Sequence, residues 1–354
     1  MKIGIVTVQD SNNFGSFLQA YALETVLREM GHEVMFIRSR SKEYIKRLFY
    51  RVKPGKRELL HLNSFIHENF EGFKKYRRFQ SEQKCFRVID NYGDEPLDLV
   101  ILGSDEIWNV KTPVFRKPIF YGENMNPVMA YAVSIGSSEF EDMKCIPETR
   151  FDNIFPILAR DEHTSEFMKS LKIDAPVVCD PTFLVDKSIF RRNYESRLFD
   201  GKPFLLVYSY GLENEIVEKI LMFAKSKNLR VLSACFPFSW CDGVFDCTAL
   251  DFCAVMEKAS FVFTSTYHGT IFSVLNHKQF VSLPQSRKTS DLLSMLGLSE
   301  RLTDDTLNNA EFEAKFEKKI DYASVDKKIA QMREHSLQML SDGIRAYEKG
   351  GRKQ

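Results

Sequence analysis

The chain has 354 residues, of which 44% are hydrophobic and 27% are charged. These proportions are close to those of soluble globular proteins, and the length is enough for two domains with a sizeable core in each. The formal net charge of +1 gives no overall reason to expect a nucleic-acid partner, and no stretch approaches the ~18 apolar residues of a membrane-spanning helix.

The chain opens with a β-α-β pattern. Ile3 to Val8 is apolar and rich in β-branched residues, which is typical of a buried strand. A helix pattern runs from Phe17 to Met30, Gly31 can end it in the left-handed conformation, and Glu33 to Ile37 reads as the second strand. This order predicts a parallel, doubly wound sheet. The N-terminal apolar run is too short for a signal peptide, so we expect a cytoplasmic protein.

A basic segment follows. Arg38 to Arg87 holds fifteen Lys or Arg against five Glu, with aromatic residues interleaved. We interpret it as a helical insertion, about residues 38–92, with a basic face. One interpretation is a solvated surface that balances an acidic remainder. The other is peripheral contact with the anionic inner membrane face, where each Lys or Arg adds roughly 1 kcal/mol.

The strand pattern then resumes and completes a first domain, residues 1–186. Asp186 to Pro203 is polar and lacks periodicity, which places the domain junction there. The predicted elements of this stretch are strands at Leu97–Gly103, Val128–Val133, Ile157–Arg160 and Pro176–Cys179, and a helix at Asp161–Leu171.

The second half repeats the alternation over residues 187–320, and a long amphipathic helix, Tyr322 to Tyr347, follows. We expect the segment 321–354 to pack back on the first domain. The fold class is therefore α/β, with two doubly wound Rossmann-like domains facing a cleft, as in the glycosyltransferase B architecture. The predicted strands of the second domain are Phe204–Tyr208, Arg230–Ser233, Phe261–Thr264 and Gln279–Leu283, and its helices are Glu213–Lys227, Phe252–Lys258 and Thr270–Leu275.

Six motifs stand in order at or near the ends of predicted strands. They combine Gly, Ser, Thr, Asn and Asp with single Arg and His residues, as expected where strand ends line a ligand site. The motifs are Asn12-Asn13-Phe14-Gly15-Ser16-Phe17, Gly103-Ser104-Asp105-Glu106-Ile107-Trp108, Ala130-Tyr131-Ala132-Val133-Ser134-Ile135-Gly136, Ala159-Arg160-Asp161-Glu162, Cys179-Asp180-Pro181-Thr182 and Ser265-Thr266-Tyr267-His268-Gly269-Thr270.

Together these motifs resemble the polysaccharide pyruvyl transferase family from about residue 1 to residue 285. The resemblance implies an enzyme that moves a pyruvyl group from phosphoenolpyruvate, its donor substrate, to a sugar and forms a ketal. The implied acceptor is a cell-surface polysaccharide or its lipid-linked precursor, as in exopolysaccharide or capsule synthesis. No motif calls for a metal, a further cofactor or a nucleic acid.

His268 is the candidate acid–base residue. It lies where a buried strand ends and a helix begins, with Gly269 expected to leave open space beside it. A pKa of ~6.5 lets a histidine exchange a proton near neutrality. The resemblance assigns the family's catalytic histidine to this position. The alternative is a histidine whose ring caps a core helix.

Ser265, Thr266 and the backbone around Gly269 are predicted to bind the donor's anionic groups, because a helix N-terminus presents N–H donors and a partial positive charge. A plain Ser or Thr N-cap is the alternative, and it is compatible with the first interpretation. Many members of the family have an arginine two residues before the histidine, where this chain has Thr266. One anion contact is therefore missing or is supplied from elsewhere.

Arg160 is a candidate for that contact, since a guanidinium holds phosphate or carboxylate through two parallel hydrogen bonds. It follows a predicted strand, so its side chain is expected to point toward the cleft, and the resemblance places a donor-contacting arginine here. The alternative is a surface ion pair with Asp161 or Glu162. Arg287 and Lys288 are further candidates.

Other candidates for acceptor contacts or the cleft lining stand at further strand ends. Asp105 can accept a hydrogen bond from a sugar hydroxyl or cap the following helix. Asn13 and Gly15 provide either a close backbone approach or an ordinary turn, and Asp180 with Pro181 is interpreted as a turn. The complete set of these candidates is Asn13, Gly15, Gly103, Ser104, Asp105, Ser134 and Gly136.

Two features of the second half allow opposite interpretations. The aromatic residues Phe236, Phe238 and Trp240 either stack on an acceptor sugar or pack onto the second domain. The seven cysteines include no C-x-x-C pair, so we expect reduced thiols and no metal site. Two other functions also stay open, namely a sugar-nucleotide-dependent glycosyltransferase, and a non-catalytic sugar-binding relative suggested by Thr266.

Overall fold

The computed structural model describes residues 1–11, 13–47 and 62–348. The chain forms two compact units. Unit 1 comprises Met1–Leu184 together with the segment that starts at Ser336, and unit 2 comprises Val185–His335.

Unit 1 is built on a six-stranded parallel sheet. The strands are β1 (Lys2–Val6), β2 (Glu33–Ile37), β3 (Val88–Ile89), β4 (Leu99–Leu102), β5 (Val128–Val133) and β6 (Ile154–Ala159). They pair in the order β3-β2-β1-β4-β5-β6, and every neighbouring pair is parallel. The doubly wound parallel sheet predicted from the β-α-β opening is therefore confirmed.

Helices connect several of these parallel strands, since parallel neighbours need a crossover connection. The first of them is capped at its N-terminus by Asn13, whose side-chain oxygen accepts a hydrogen bond from the backbone N–H of Gly15. The helices are α1 (Phe14–Glu29), α2 (Lys42–Arg47), α3 (Leu62–Glu82), α4 (Phe140–Met143) and α5 (Glu162–Ser170).

The predicted basic insertion, about residues 38–92, is helical over α2 and α3, while residues 48–61 lie outside the described residues. Its predicted end is wrong, because Val88–Ile89 forms β3 at the edge of the sheet beside β2. Phe86 is buried, with its ring centroid 4.6 Å from that of Phe36. The segment thus contributes to the core of unit 1, which its charge pattern did not indicate.

Unit 2 holds a five-stranded sheet whose neighbours are also all parallel. Its strands are β7 (Phe204–Tyr208), β8 (Arg230–Ala234), β9 (Gly243–Phe245), β10 (Phe261–Thr264) and β11 (Gln279–Ser282), in the order β11-β10-β7-β8-β9. Its helices are α6 (Asn214–Ser226), α7 (Ala249–Lys258), α8 (Tyr267–Leu275), α9 (Arg287–Leu296) and α10 (Asn309–Glu317). The last helix, α11 (Tyr322–Glu348), begins in unit 2 and belongs to unit 1 from Ser336 onward.

Aromatic residues fill the core of each unit. In unit 1, Trp108 is fully buried and stacked on Tyr121, and its Nε1 donates a 2.8 Å hydrogen bond to the carbonyl oxygen of Phe120. In unit 2, Phe223 stacks on Phe316 with ring centroids 4.3 Å apart. The abundance of phenylalanine in the sequence is thus used for packing, where each buried ring stabilises by roughly 1.5–3 kcal/mol.

Some predicted elements differ from the structure. Pro176–Cys179 is not a strand, since only Val177 forms an isolated bridge, to Ala159. The short strands β3 and β9 and the helices α9 and α10 were not predicted. A signal for α10 was present, because Asn308 and Glu311 form a capping box at its N-terminus.

The long C-terminal helix matches its predicted range to within one residue at Glu348, and residues 349–354 lie outside the described residues. In unit 1, the Ser336 hydroxyl oxygen accepts a 2.9 Å hydrogen bond from the backbone N–H of Cys179. The Tyr347 hydroxyl donates to the carbonyl oxygen of Val128 at 3.3 Å. Within the described ranges, no helix is long and apolar enough to cross a membrane.

Candidate functional site

The carboxyl ends of the central strands of unit 1 bring most of its predicted site residues to one edge of the sheet. The segments after β4 and β5 touch there, since the backbone N–H of Ser134 donates to the carbonyl oxygen of Asp105 at 3.2 Å. The N–H of Arg160, after β6, donates to the carbonyl oxygen of Val133 at 2.9 Å. Candidate residues far apart in the sequence therefore share one neighbourhood.

Asp105 is at the centre of this edge. Its carboxylate accepts hydrogen bonds from the Ser16 hydroxyl at 3.0 Å, from the Glu106 backbone N–H at 2.8 Å and from Arg160 Nη1 at 3.3 Å. Its backbone φ of 88° is in the left-handed region, which is uncommon for a residue other than glycine. No α-helix begins at Asp105, so the alternative of a cap for a following helix is wrong.

Arg160 is enclosed inside unit 1, with a side chain that is 0% exposed. Its Nη1 lies 3.3 Å from Asp105 Oδ1 and 3.4 Å from Asp180 Oδ2. The alternative of a surface ion pair with Asp161 or Glu162 is therefore wrong, because the carboxylates that pair with Arg160 are buried and belong to other segments. Donor binding by Arg160 stays a prediction.

Asp180 has a role in this cluster that the sequence interpretation missed. Its Oδ1 accepts hydrogen bonds from the backbone N–H and the hydroxyl of Thr182, which confirms the predicted turn. Its Oδ2, however, faces Arg160. A carboxylate whose side chain is 0% exposed needs a compensating charge. The available sequence signal was that the motif with Asp180 comes directly after the motif with Arg160 in the order of the six motifs.

The other predicted residues of this edge are held by local hydrogen bonds. Asn13 caps α1, and its place with Gly15 in the acceptor or cleft lining stays a prediction. The Ser134 hydroxyl oxygen accepts from the Gly136 N–H at 2.9 Å, and the Ser104 hydroxyl donates to the side-chain oxygen of Gln19. Gly103 has φ 113°, and a Cβ there would overlap the carbonyl oxygen of Tyr131. These local contacts fix the backbone conformation at this edge of the sheet of unit 1.

The second cluster lies in unit 2, where β10 ends and α8 begins. Thr266 is the N-cap of α8, since its hydroxyl oxygen accepts from the Gly269 N–H at 2.9 Å, which confirms the N-cap interpretation. The Ser265 hydroxyl lies 2.6 Å from that of Ser209. His268 is the second residue of α8 and is 5% exposed. The N-cap position of α8 is thus taken by Thr266 and not by His268.

Gly269 does not leave open space beside His268, contrary to expectation. A Cβ at this position would overlap the Thr264 hydroxyl and lie 2.6 Å from that of Thr266. The Thr264 hydroxyl is itself fixed by a 2.7 Å hydrogen bond to the carbonyl oxygen of Tyr208. Gly269 is therefore needed for close packing of α8 on the end of β10.

Gly269→Ala is expected to destabilise unit 2 by about 1–3 kcal/mol, because the added methyl forces short, buried threonine side chains to move. Urea unfolding curves of the variant and the wild type measure this change. Gly211→Ala is the matched control, since a Cβ at Gly211 meets nothing within 4 Å. Equal stability losses in the two variants would contradict the packing role of Gly269.

Of the two predicted cations after β11, Lys288 lies near the start of α8. Arg287 and Lys288 are the first residues of α9, in the loop-to-helix junction after β11. The Lys288 Nζ lies 4.9 Å from the centroid of the Tyr267 ring, and that ring makes an edge contact with His268. The structure thus brings the predicted cation Lys288 to the neighbourhood of the histidine.

The aromatic residues of the loop after β8 make two separate sets of contacts. Phe238 and Trp240 stack on each other and pack against the core of unit 2, as the packing interpretation predicted. Phe236 instead contacts Tyr208 and Tyr210, with ring centroids 5.9 and 5.1 Å away.

No disulfide joins any of the seven cysteines, all of which lie in the described part of the chain. Burial raises the pKa of the Cys241 thiol to about 12, so this sulfur is protonated at neutral pH and is a poor nucleophile or metal ligand. Among the described residues, no three His, Cys, Asp or Glu side chains come together as a metal site would require.

A family model for polysaccharide pyruvyl transferases matches residues 13–287 of the chain. Among curated proteins, none matches the sequence significantly.

Solved structures resemble the chain over almost its whole length. The Listeria monocytogenes protein described as a UDP-N-acetylglucosamine 2-epimerase has a TM-score of 0.57 at 10% identity, covering 99% of this chain and 98% of that one. Staphylococcus aureus MnaA with UDP has 0.55 at 13%, covering 98% and 97%. The Methanocaldococcus jannaschii UDP-GlcNAc 2-epimerase with UDP-GlcNAc and UDP has 0.53 at 12%, covering 97% and 100%. These matches confirm a glycosyltransferase B-like fold with two parallel α/β sheets.

Proposed function

Because the chain belongs to the polysaccharide pyruvyl transferase family, we propose that it moves a pyruvyl group from phosphoenolpyruvate onto two hydroxyls of a saccharide and forms a ketal. The proposed acceptor is a sugar of a cell-surface polysaccharide or of its lipid-linked precursor. The observation that carries the proposal is the position of His268, inside the matched segment, buried in the first turn of α8 and at the carboxyl end of β10. Parallel sheets bind ligands at this edge.

The chemistry balances without an oxidant or a reductant. The methylene carbon of phosphoenolpyruvate takes a proton and becomes a methyl group. The neighbouring carbon forms bonds to two acceptor oxygens, while its bond to the phosphate ester oxygen breaks. Each acceptor hydroxyl loses one proton, so one proton balances the methyl group and the other leaves with phosphate. His268 is assigned the exchange of these protons, for which a histidine is suited near neutral pH.

The donor carries a carboxylate and a phosphate, which need hydrogen-bond donors and positive charge. Ser265, Thr266 and the backbone of the first turn of α8 are proposed as donor-binding groups, supported by the partial positive charge of a helix N-terminus. Lys288, beside the Tyr267 ring, is proposed to add the charge that an arginine at Thr266 would have given.

Arg160 is proposed as a further donor contact, on the ground of the family motif alone. The structure adds a condition to this proposal. A guanidinium already held by Asp105 and Asp180 binds an added anion only by giving up part of its contact with a carboxylate.

The test is calorimetric titration with phosphoenolpyruvate. Saturable binding by the wild type is expected, and Lys288→Ala should weaken it by about 10- to 100-fold, the effect of losing one hydrogen bond to a charged group. Lys258→Ala is the matched control. Lys258 lies on another helix, α7, and its Nζ is also close to an aromatic ring, 4.0 Å from the ring centroid of Phe199. No binding by folded wild type, together with tight binding of UDP, would replace the proposal with a sugar-nucleotide-dependent enzyme.

The protein is further proposed to be cytoplasmic and to contact the anionic inner membrane face through the segment 38–92. On α3, Lys74 and Arg77 are exposed, while Tyr76 and Phe79 are buried on the opposite side. Co-sedimentation with anionic liposomes is expected at low salt and should decrease as salt screens the charges. A protein that stays in the supernatant at low salt would contradict this proposal.

A further inference from the structure

Tyr210 and Phe236 form an aromatic corner at the carboxyl ends of β7 and β8. The Tyr210 residue is 41% exposed, and its ring centroid lies 5.1 Å from that of Phe236, with 60° between the planes. Phe236 also contacts Tyr208 at 5.9 Å, and the Tyr208 ring lies 4.4 Å from that of the fully buried Phe252. The exposed ring is therefore the end of a series of packed rings that begins in the core.

The backbone around Phe236 turns this ring away from its neighbours in the loop. Cys235 adopts φ 71°, a left-handed conformation that is unfavourable for a residue with a side chain. The N–H of Phe236 donates to the carbonyl oxygen of Ala234 at 2.8 Å, which closes a tight turn. As a result Phe236 faces Tyr210, while Phe238 and Trp240 pack on the core.

The aromatic corner is continuous with the cluster around His268. The backbone N–H of Tyr210 donates to the Ser265 hydroxyl oxygen at 3.3 Å, and the Ser209 hydroxyl lies 2.6 Å from that oxygen. Ser265 in turn directly precedes Thr266, the N-cap of the helix that carries His268. An exposed aromatic surface thus adjoins the buried Ser265 hydroxyl, three residues before His268 in the chain.

We propose that Tyr210 and Phe236 are the surface on which a pyranose ring of the acceptor stacks, an inference that rests on the proposed function. A pyranose has an apolar C–H face, which matches the exposed face of an aromatic ring. Burying that face removes apolar area from water. The 60° angle between the rings makes a corner rather than a parallel slot, which suits a puckered sugar better than a flat nucleobase.

The test is saturation-transfer NMR with a panel of methyl pyranosides (glucose, galactose, mannose and N-acetylglucosamine), and with UDP as a separate probe. Wild type is expected to transfer saturation to the C–H protons of at least one pyranoside. Tyr210→Ala and Phe236→Ala should each weaken that binding about tenfold, the value of roughly 50 Å² of apolar contact. Tyr210→Phe should retain it, since the ring remains.

Phe155→Ala is the control, because Phe155 is a 47% exposed aromatic residue in unit 1. Circular dichroism and calorimetric phosphoenolpyruvate binding by each variant establish that the fold and the donor site are intact. The proposal is overturned if wild type binds no pyranoside, or if binding is the same in Tyr210→Ala, Phe236→Ala and wild type. Saturation of uracil protons that disappears in Tyr210→Ala would also overturn it. Pyranoside binding that depends on Tyr210, in a protein that does not bind phosphoenolpyruvate, would support the stacking surface and reject pyruvyl transfer.

Discussion

His268→Asn is expected to lower pyruvyl transfer by about 10²- to 10⁴-fold, the usual contribution of a positioned acid–base group. Asparagine keeps hydrogen-bonding atoms and a similar size, but it cannot exchange a proton near neutral pH. Phosphoenolpyruvate binding should change little, because the donor's anions are assigned to the hydroxyls and backbone around Thr266. Phosphate release with a saccharide acceptor measures the first quantity, and calorimetry measures the second.

His277→Asn is the matched control for this experiment. His277 lies in the same unit, but its side chain is 46% exposed and its Nε2 pairs with Asp326 at 2.9 Å. Its φ of 52° is one that asparagine tolerates. Full activity is expected from this variant. If His268→Asn transferred pyruvyl at the wild-type rate, His268 would not be the acid–base group, and another residue would have to exchange the protons.

Arg160→Ala is expected to lower the free energy of unfolding of unit 1 by about 3–5 kcal/mol, because it leaves the carboxylates of Asp105 and Asp180 without their buried countercharge. The Arg160 side chain is 0% exposed, so these contacts lie away from bulk solvent. Urea unfolding followed by tryptophan fluorescence measures the loss. A Trp240→Phe background leaves Trp108, in the core of unit 1, as the reporter.

An exposed pair supplies the control for this charge effect. Lys144→Ala removes the partner of Glu141 on the surface of unit 1, where both side chains are more than 70% exposed, and no measurable change is expected. Combining Arg160→Met with Asp105→Asn and Asp180→Asn should recover most of the stability, since none of these three positions then carries a charge. A loss as large in this neutral variant as in Arg160→Ala would assign the effect to packing instead.

The stability effect decides how donor binding by Arg160 is tested. Arg160→Ala would weaken phosphoenolpyruvate binding simply by disturbing the edge of the sheet around Asp105. Arg160→Lys keeps a positive charge between Asp105 and Asp180 and removes the two-pronged geometry of the guanidinium. Weaker donor binding by a stably folded Arg160→Lys variant is therefore the result that supports a direct contact.

Much of the fold could be predicted because it depends on local patterns. The strands Glu33–Ile37, Val128–Val133, Phe204–Tyr208 and Phe261–Thr264 have the predicted bounds. Apart from the terminal residues Glu33 and Thr264, each is an apolar run, as expected for strands buried on both faces of a parallel sheet. The edge strands Val88–Ile89 and Gly243–Phe245 were missed. Runs of two or three residues carry no period, and a neighbouring strand decides whether they pair.

The candidate site residues could be located from the sequence alone, because Gly, Ser, Asp, Arg and His collect in the turns that follow parallel strands, at one edge of each sheet. The tertiary structure decided which of them meet. Arg160 pairs with residues 55 and 20 positions away, and Ser16 reaches a carboxylate 89 positions away. Strand order sets these pairings, and spacing along the chain does not encode them. The charge of Arg160 is buried because the fold encloses it, which its residue type alone does not indicate.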